Sequence, residues 1–341
     1  MSSLATMYSF ARKYGMQPIV TEEQYQQLEF YFESNELGLS VLEKDLHQFH
    51  VNILGFKISR IWWEVPWNSI DSVNNNFNYS EIANPEYHKG KALNIGKYPN
   101  EIKFYKDYIP ELKMKLRLKD RFVNMAEQKL RAELLKQNTV SSNVTWVGIH
   151  NRRGDYGQHL KSLYDLSLLS ANYFKRAMTY FTSHFTNVIF VVVTDDMEWA
   201  QNNIDFPDMQ VAFLGHNSVL EKDISNPLAT GEDIGDDLAL LAACNHTILS
   251  YGTFGQWAAF LAGGEVVIST TAAHTKEGRE LMEGGFGWTG GEKRGEGKSW
   301  TWITGKDDEE GKTYGESQGI SLKIDSYYVI LFMLFLVYRV T

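Results

Sequence analysis

The chain has 341 residues, of which 43% are hydrophobic and 13% aromatic, and its formal net charge is −9 at pH 7. This length is enough for two domains of ordinary size. The negative charge argues against a nucleic-acid partner, because domains that bind nucleic acid are usually basic. The single cysteine, Cys244, excludes an internal disulfide. It follows the apolar run Leu-Leu-Ala-Ala, which predicts a buried, chemically inert side chain.

The N-terminal part contains short amphipathic elements. Residues 1–11 are too polar and too short for a signal peptide or a membrane-spanning helix. The hydrophobic spacing predicts a helix, a strand and a second helix over residues 4–14, 18–20 and 22–32. Trp62, Trp63 and Trp67 follow; their rings could stack on an acceptor sugar, although core packing is the favoured interpretation. A long helix is predicted over residues 110–138, with Pro110 in its first turn.

A β-branched and aromatic run at residues 144–149 predicts a buried strand, and the polar sequence His-Asn-Arg-Arg-Gly-Asp follows it at 150–155. Two adjacent arginines beside a buried strand are unfavourable unless an anion meets them. A guanidinium suits bidentate binding of phosphate oxygens, so Arg152 and Arg153 are candidates for a diphosphate site. Surface salt bridges are the alternative. Residues 153–155 also form an Arg-Gly-Asp adhesion tripeptide, a motif short enough to occur by chance.

The next elements extend the predicted sheet. A helix is predicted over residues 163–181 and a further strand over 210–214. The uninterrupted apolar run at 188–194 is typical of a strand that is buried on both faces of a parallel sheet. It ends in Asp195 and Asp196. If the sheet is parallel, these acids lie at the same edge as the arginines, since ligands of open α/β sheets bind outside the carboxyl ends of the strands.

A second candidate phosphate site follows. One of Asp236 and Asp237 is a plausible N-cap for the apolar helix after them. A strand at 246–250, a glycine-containing turn at 251–255 and an apolar helix at 256–262 come next, and a strand is predicted at 266–268. A turn that leads into a helix N-terminus presents backbone N–H groups and a positive dipole end to an anion.

The C-terminal part has a different composition. Residues 284–319 are rich in glycine and charge, which predicts a disordered tail over 284–341. The apolar segment at 327–338 is shorter than the ~20 residues that span a bilayer as a helix. A read-through or mis-spliced extension is the favoured interpretation of residues 284–341, and a membrane-associating tail is the alternative.

The sequence at 150–155 resembles the H-x-R-R-x-D motif of fucosyltransferases, in the form used by the α-1,2-fucosyltransferase family, glycosyltransferase family 11. Residues 237–264 resemble the donor-site motif of that family almost residue for residue. The resemblance runs from Leu4 to Ser269. It implies an α/β, GT-B-like fold with a Rossmann-like parallel-sheet donor domain. Because the first strand of the family has no counterpart before residue 4, the chain is expected to be N-terminally truncated.

This resemblance implies three parts: an N-terminal α/β part on the acceptor side (1–140), a GDP-fucose-binding α/β domain (141–283) and the tail (284–341). It also implies transfer of L-fucose from GDP-β-L-fucose to the 2-hydroxyl of a terminal galactose on a glycan, with inversion. Golgi membrane location on the lumenal side is expected from the family alone. The alternative is an inactive protein that binds a nucleotide sugar or a glycan.

The chemistry of the site follows from these motifs. The sequence contains no Asp-x-Asp motif, so no metal cofactor is expected, and arginines are expected to neutralise the leaving GDP. Arg152 is assigned to the diphosphate, and Arg153 either to the diphosphate or to orienting its neighbours. Asp155 is a candidate general base, although a salt bridge with an arginine is favoured. The resemblance implies that further residues contact the donor, GDP-fucose. His150 and Asp237 are expected to contact guanine or ribose, and the phosphates are expected to contact Ser250, Thr253, Phe254 and Gly255.

Overall fold

A computed structural model describes residues 1–15, 17–33, 38–42, 102–137, 143–216, 231–274 and 300–303. The N-terminal elements are helix α1, strand β1, helix α2 and strand β2, at Ser2–Tyr14, Ile19–Thr21, Glu22–Tyr31 and Ser40–Leu42. The two strands pair in parallel. This confirms the predicted order of helix, strand and helix. The three tryptophans that were predicted to contact an acceptor or the core, at 62, 63 and 67, lie outside the described residues.

The long helix that was predicted over 110–138 is two helices, α3 at Ile109–Lys115 and α4 at Asp120–Lys136. Between them, Leu118 forms an antiparallel bridge with Phe32. The Lys119 N–H donates to the Tyr31 carbonyl on the same side of this bridge. The single-helix prediction was wrong because the backbone here pairs with a segment almost ninety residues earlier in the chain, which local spacing does not reveal.

The rest of the described chain alternates strands and helices. The strands β3 to β8 are Thr145–Asn151, Val188–Thr194, Gln210–Phe213, His246–Leu249, Val266–Ser269 and Trp300–Ile303. The helices α5 to α9 are Tyr156–Tyr164, Ala171–His184, Met197–Asn203, Gly231–Ala242 and Thr253–Ala262. Short 3-10 helices lie at Ile102–Phe104, Lys106–Tyr108 and Thr270–His274.

The six strands form one sheet in the order β5-β4-β3-β6-β7-β8, and every neighbouring pair is parallel. The order runs outward from β3 in one direction and from β6 in the other, so it reverses between these two strands. This is the doubly wound arrangement, and its ligands bind at the point of reversal. All seven residues of β4 are buried, as predicted for a strand covered on both faces. The α/β class and the Rossmann-like parallel sheet are therefore confirmed.

Two further helix predictions need correction. The helix that was predicted over 163–181 is divided between α5 and α6, because Asp165 adopts a left-handed conformation (φ 52°) and ends α5. Neither Asp236 nor Asp237 is an N-cap, since α8 begins at Gly231 and includes both. Their carboxylates contact His216 instead, a residue that follows β5.

One strand lies inside the segment that was predicted to be a disordered tail. β8, at Trp300–Ile303, pairs in parallel with β7 and forms an edge of the sheet. The prediction was wrong for these four residues because it judged the average composition of the segment. The sequence Trp-Thr-Trp-Ile is rich in residues that favour strands, and a parallel neighbour satisfies its backbone. The other residues of the predicted tail that lie beyond 284 are outside the described part.

The hydrophobic core is continuous across residue 140, where the sequence predicted a boundary between two parts. Side chains from α1 and α4, such as Leu4 and Phe122, belong to the same buried cluster as the strands of the large sheet. Trp257 of α9 also donates a hydrogen bond to the Ser2 hydroxyl (2.9 Å). The assignment of residues 1–140 to the acceptor side stays a prediction.

The close contact between α4 and α8 predicts that a larger residue at position 235 destabilises the fold. A Cβ atom added at Gly235 would lie 2.3 Å from Cε1 of the Phe122 ring. Gly235→Ala is expected to lower the free energy of unfolding by about 1–3 kcal/mol, because the ring or the helix must move, although alanine is normally the better helix former. Urea denaturation measures this change. Phe122→Leu makes room, so the double variant should lose less than the sum of the single losses; additive losses would contradict the contact.

Candidate active site at the carboxyl edge of the sheet

The two halves of the predicted site meet between β3 and β6. The Arg152 backbone N–H donates to the Ser250 hydroxyl (2.8 Å). The Ser250 N–H donates to the carbonyl of His150 (3.0 Å). Both hydrogen bonds lie just beyond the carboxyl ends of the strands, at the point where the strand order reverses. The arginine turn and the second phosphate motif therefore share one edge of the molecule.

The second half of the site is the N-terminus of α9. The helix begins at Thr253, three residues earlier than predicted, and follows Gly252 in a conformation with φ 88° that favours glycine. Because Gly252 has no side chain to cap the helix, the first N–H groups of α9 have no capping partner from that residue. Thr253, Phe254 and Gly255 form this first turn. Free N–H groups and the positive end of the helix dipole together favour an anion.

His150 lies beneath this turn, at the end of β3, and is buried. A Cβ atom added at Gly255 would lie 2.4 Å from its Nδ1 atom. The Phe254 ring is 5.5 Å from the imidazole, centroid to centroid. Burial, and then the charge of Arg152, lower the pKa of His150 to about 3, so the imidazole is neutral at physiological pH. Its buried Nδ1 has no hydrogen-bond partner among the described residues.

Arg152 lies at the edge of the sheet and is partly exposed, with 32% of its side chain accessible to solvent. Its guanidinium contacts two carboxylates. Nη1 bonds to Oδ2 of Asp195, which follows β4 and is 6% exposed. Nη2 bonds to Oδ1 of Asp155 at 2.5 Å, and the Asp155 side chain is 70% exposed. The salt bridge that the sequence analysis favoured for Asp155 is thus present.

Arg153 faces the interior and is buried. Its Nη1 donates to the carbonyl of Leu169 (3.1 Å), and its guanidinium carbon lies 3.4 Å from the centre of the Trp199 ring. Nε is 3.7 Å from Oδ2 of Asp196. Of the two roles left open for this arginine, orientation of its neighbours fits these contacts. An adhesion role for residues 153–155 does not fit, since the buried guanidinium cannot reach a partner, although Asp155 itself is exposed.

Asp237, which was predicted together with His150 to contact guanine or ribose, lies on α8 and contacts His216 beyond β5, whereas His150 lies at the end of β3. Its Oδ1 accepts from the backbone N–H of His216 (2.8 Å) and lies 3.2 Å from Nδ1 of that ring. Burial raises the pKa of Asp237, and the hydrogen bonds from His216 oppose this shift. Nε2 of His216 is 3.6 Å from Asp236 and 3.7 Å from Asp233. This cluster lies at the end of β5, at the same edge of the sheet.

Sequence reasoning missed His216, and it noted Asp195 only as an acid at this edge. Both residues follow strands that were predicted correctly, at 210–214 and 188–194. The sequence therefore contained a signal for both residues, because in a parallel sheet each polar residue within a few positions after a strand is a candidate for the site.

Three further observations concern other parts of the described chain. Cys244 is buried, and burial raises its pKa to about 12, which confirms an inert core thiol. Among the described residues, no group of three or more histidine, cysteine, aspartate or glutamate side chains could hold a metal ion. Within the same part of the chain, no helix is long and apolar enough to cross a membrane.

The strand order defines a doubly wound α/β protein, and the edge at its switch point is a candidate anion-binding site. The sequence model of glycosyl transferase family 11 matches residues 19–285, and the chain belongs to this family. The match extends past Ser269, where the resemblance was expected to end.

The names of similar proteins are consistent with this family. Galactoside alpha-(1,2)-fucosyltransferase 2 of Pongo pygmaeus is 29% identical over 269 residues, which are 78% of this chain and 67% of the relative. Galactoside 2-alpha-L-fucosyltransferase Sec1 of Mus musculus is 28% identical over 78% of this chain and 62% of its own. The chain thus spans about two thirds of the length of these curated relatives. Among solved structures, POFUT1 in complex with GDP-fucose is 10% identical, with a TM-score of 0.43, over 77% of this chain and 89% of that chain.

The burial of Arg153 predicts a structural effect. Arg153→Ala removes a buried cation from Leu169, Trp199 and Asp196, and is expected to lower the free energy of unfolding by about 3 kcal/mol. Arg131→Ala is the matched control, because that arginine is 77% exposed and should change stability by less than about 0.5 kcal/mol. Urea denaturation of both variants decides the point. Equal effects would show that Arg153 is not fixed in the interior.

His150 predicts a pH dependence of stability. The folded chain keeps this histidine neutral down to about pH 3, whereas an unfolded histidine takes up a proton near pH ~6.5. Stability should therefore fall between about pH 6.5 and pH 3, by up to about 1.4 kcal/mol per pH unit for this group, and change no further below that window. Urea denaturation of wild type and His150→Gln at about pH 6.5, 5.5 and 4.5 measures this slope. The variant should show a shallower slope, and identical slopes would contradict the buried neutral state.

Proposed function

We propose that this chain transfers L-fucose from GDP-β-L-fucose to the 2-hydroxyl of a terminal galactose on a glycan, with inversion to the α-linkage. Membership of glycosyl transferase family 11 supports a glycosyltransferase. The relatives named as galactoside alpha-(1,2)-fucosyltransferases support the fucosyl group and the position of the acceptor hydroxyl. The observation that carries the proposal is the meeting of Arg152 with Ser250 and the N-terminus of α9 at one switch point.

In this proposal, the diphosphate of GDP lies between the two halves of the site. Arg152 donates from the β3 side, and the N–H groups of Thr253, Phe254 and Gly255 donate from the α9 side. The nucleoside extends toward His150 and, at the far end of the edge, toward Asp237. Arg153 has a supporting task, because its contacts hold the turn that carries Arg152.

The reaction would break the bond between C1 of fucose and the phosphate oxygen, and the bonding electrons would leave with GDP. By analogy with glycoside hydrolysis, the transition state is oxocarbenium-like. The largest electrostatic task is then to stabilise charge on the departing diphosphate, and fixed donors do this well because they need no reorganisation. A guanidinium and a helix N-terminus supply such donors, so we propose a reaction without a metal ion.

The acceptor oxygen would form the new bond to C1, and its proton would pass to a base. Asp155 is our candidate, because it lies in the same turn as Arg152 and its side chain is exposed. An ionised aspartate is a weak base, so the proton is expected to move late, when the new bond has made the hydroxyl more acidic. Membrane association and a lumenal Golgi location are proposed from the family alone.

The test is an assay with GDP-fucose and a β-galactoside acceptor, in which GDP release and the linkage of the product are both measured. The wild type should form an α-1,2-linked product. Arg152→Ala should lose about 100-fold or more in kcat, as expected when a donor to the transition-state charge is removed. Arg131→Ala, an exposed arginine on α4, is the matched control and should retain the wild-type rate.

The outcomes separate the alternatives. GDP binding without transfer to any β-galactoside would favour the inactive binding protein. Full activity of Arg152→Ala, in a variant whose circular dichroism matches the wild type, would refute the role of this arginine. A β-linked product would refute inversion.

A further inference from the structure

Arg152 holds two carboxylates before any ligand arrives, and these two partners have different environments. We propose that the donor diphosphate replaces Asp155 on the guanidinium, whereas Asp195 stays and positions Arg152 throughout. This inference rests on the proposed function, since it describes how the same site accepts GDP. It assigns opposite roles to two carboxylates on one arginine, and it makes Asp195 a positioning residue.

Asp195 is fixed from several sides. Its Oδ2 bonds to Nη1 of Arg152, and its Oδ1 accepts from the backbone N–H of Arg153 (2.7 Å). Only 6% of its side chain is exposed. A Cβ atom added at Gly154 would lie 2.7 Å from Oδ2, so the turn packs directly on this carboxylate. Release of Asp195 would leave a buried charge and a backbone donor without their partner, which is unfavourable.

Asp155 has much weaker attachment. Its side chain is 70% exposed, and it makes no capping hydrogen bond to α5, although it is the residue directly before that helix. Its contact with Nη2 of Arg152 is an exposed ion pair, of a kind that contributes little to stability. Water can solvate the released carboxylate, so exchange of this partner has a small penalty.

The charges favour the exchange. A guanidinium between two carboxylates has a local charge of −1, which repels a diphosphate. When Asp155 leaves, the pair of Arg152 and Asp195 is neutral, and the positive end of the α9 dipole then dominates. The Nη2 donor that Asp155 occupied becomes available to a phosphate oxygen. The exchange also frees Asp155 for the proton transfer proposed above, and only after the donor has bound.

The experiment measures the binding of GDP to the full chain by isothermal titration calorimetry. Asp155→Asn removes the competing charge and should lower the Kd for GDP by about two- to fivefold. Asp195→Asn keeps the shape but removes the ion pair, and should raise the Kd by about tenfold. Asp165→Asn is the matched control for charge, because Asp165 ends the same helix α5, is 82% exposed and pairs with Lys161. It should leave the Kd unchanged within about twofold.

A double-mutant cycle assigns the effect to Arg152. In an Arg152→Ala background, Asp155→Asn should no longer tighten GDP binding, because no guanidinium remains for the two anions to compete for. If Asp155→Asn still tightens GDP binding in that background, or if Asp165→Asn tightens it equally, the effect comes from the overall charge of the protein. Either result would overturn the exchange. Unchanged or weaker binding by Asp155→Asn in the wild-type background would overturn it as well.

The melting temperature is the control for the Asp195 variants. A loss of affinity with an unchanged melting temperature supports positioning. If Asp195→Asn does not fold, Asp195→Glu keeps the charge but displaces the carboxylate, so a folded glutamate variant should bind GDP more weakly than the wild type. A folded Asp195→Asn or, failing that, a folded Asp195→Glu that binds GDP as tightly as the wild type would overturn the positioning role. A wild type that binds no GDP at all would refute the proposed function itself, and this result differs from wild-type binding that Asp155→Asn fails to change.

Discussion

The candidate site depends on one ion pair, which joins Arg152 at the end of β3 to Asp195 at the end of β4. The parallel register of these strands places Asn151 opposite Thr194, so the next residue on each strand meets the other. A protein that binds an anion through a guanidinium must stabilise and orient that cation before the anion binds. A carboxylate from the neighbouring strand does so, because it compensates the charge and fixes the geometry together.

The two adjacent arginines therefore have different tasks, although one motif contains both. The Arg152 side chain lies at the edge of the sheet and is 32% exposed, whereas that of Arg153 is buried. A planar, permanently charged guanidinium can stack on Trp199 and still donate to a carbonyl, and lysine could not do both. The inner arginine and the shared Asp195 together hold the turn that presents the outer one.

The opposite wall of the site acts through neutral groups. The first turn of α9 provides N–H donors and a dipole, and the buried His150 beneath it stays uncharged. The absence of a side chain at Gly255 permits this close approach, since a Cβ atom there would overlap the imidazole. Positive charge is thus concentrated at Arg152, on the β3 wall. Under the proposed function, this asymmetry would orient a diphosphate across the switch point.

The sequence by itself determined the strands at 188–194, 210–214 and 246–250, the parallel α/β class and the family, and it located the two candidate phosphate motifs. These follow from local hydrophobic patterns and motif residues, which are properties of short segments. The break between α3 and α4, the strand β8, the inward direction of Arg153, and the pairs that join Arg152 to Asp195 and Asp237 to His216 were decided only by the tertiary structure. Each of these depends on a partner that is distant in the chain, because strand register and packing bring residues together that no local pattern relates.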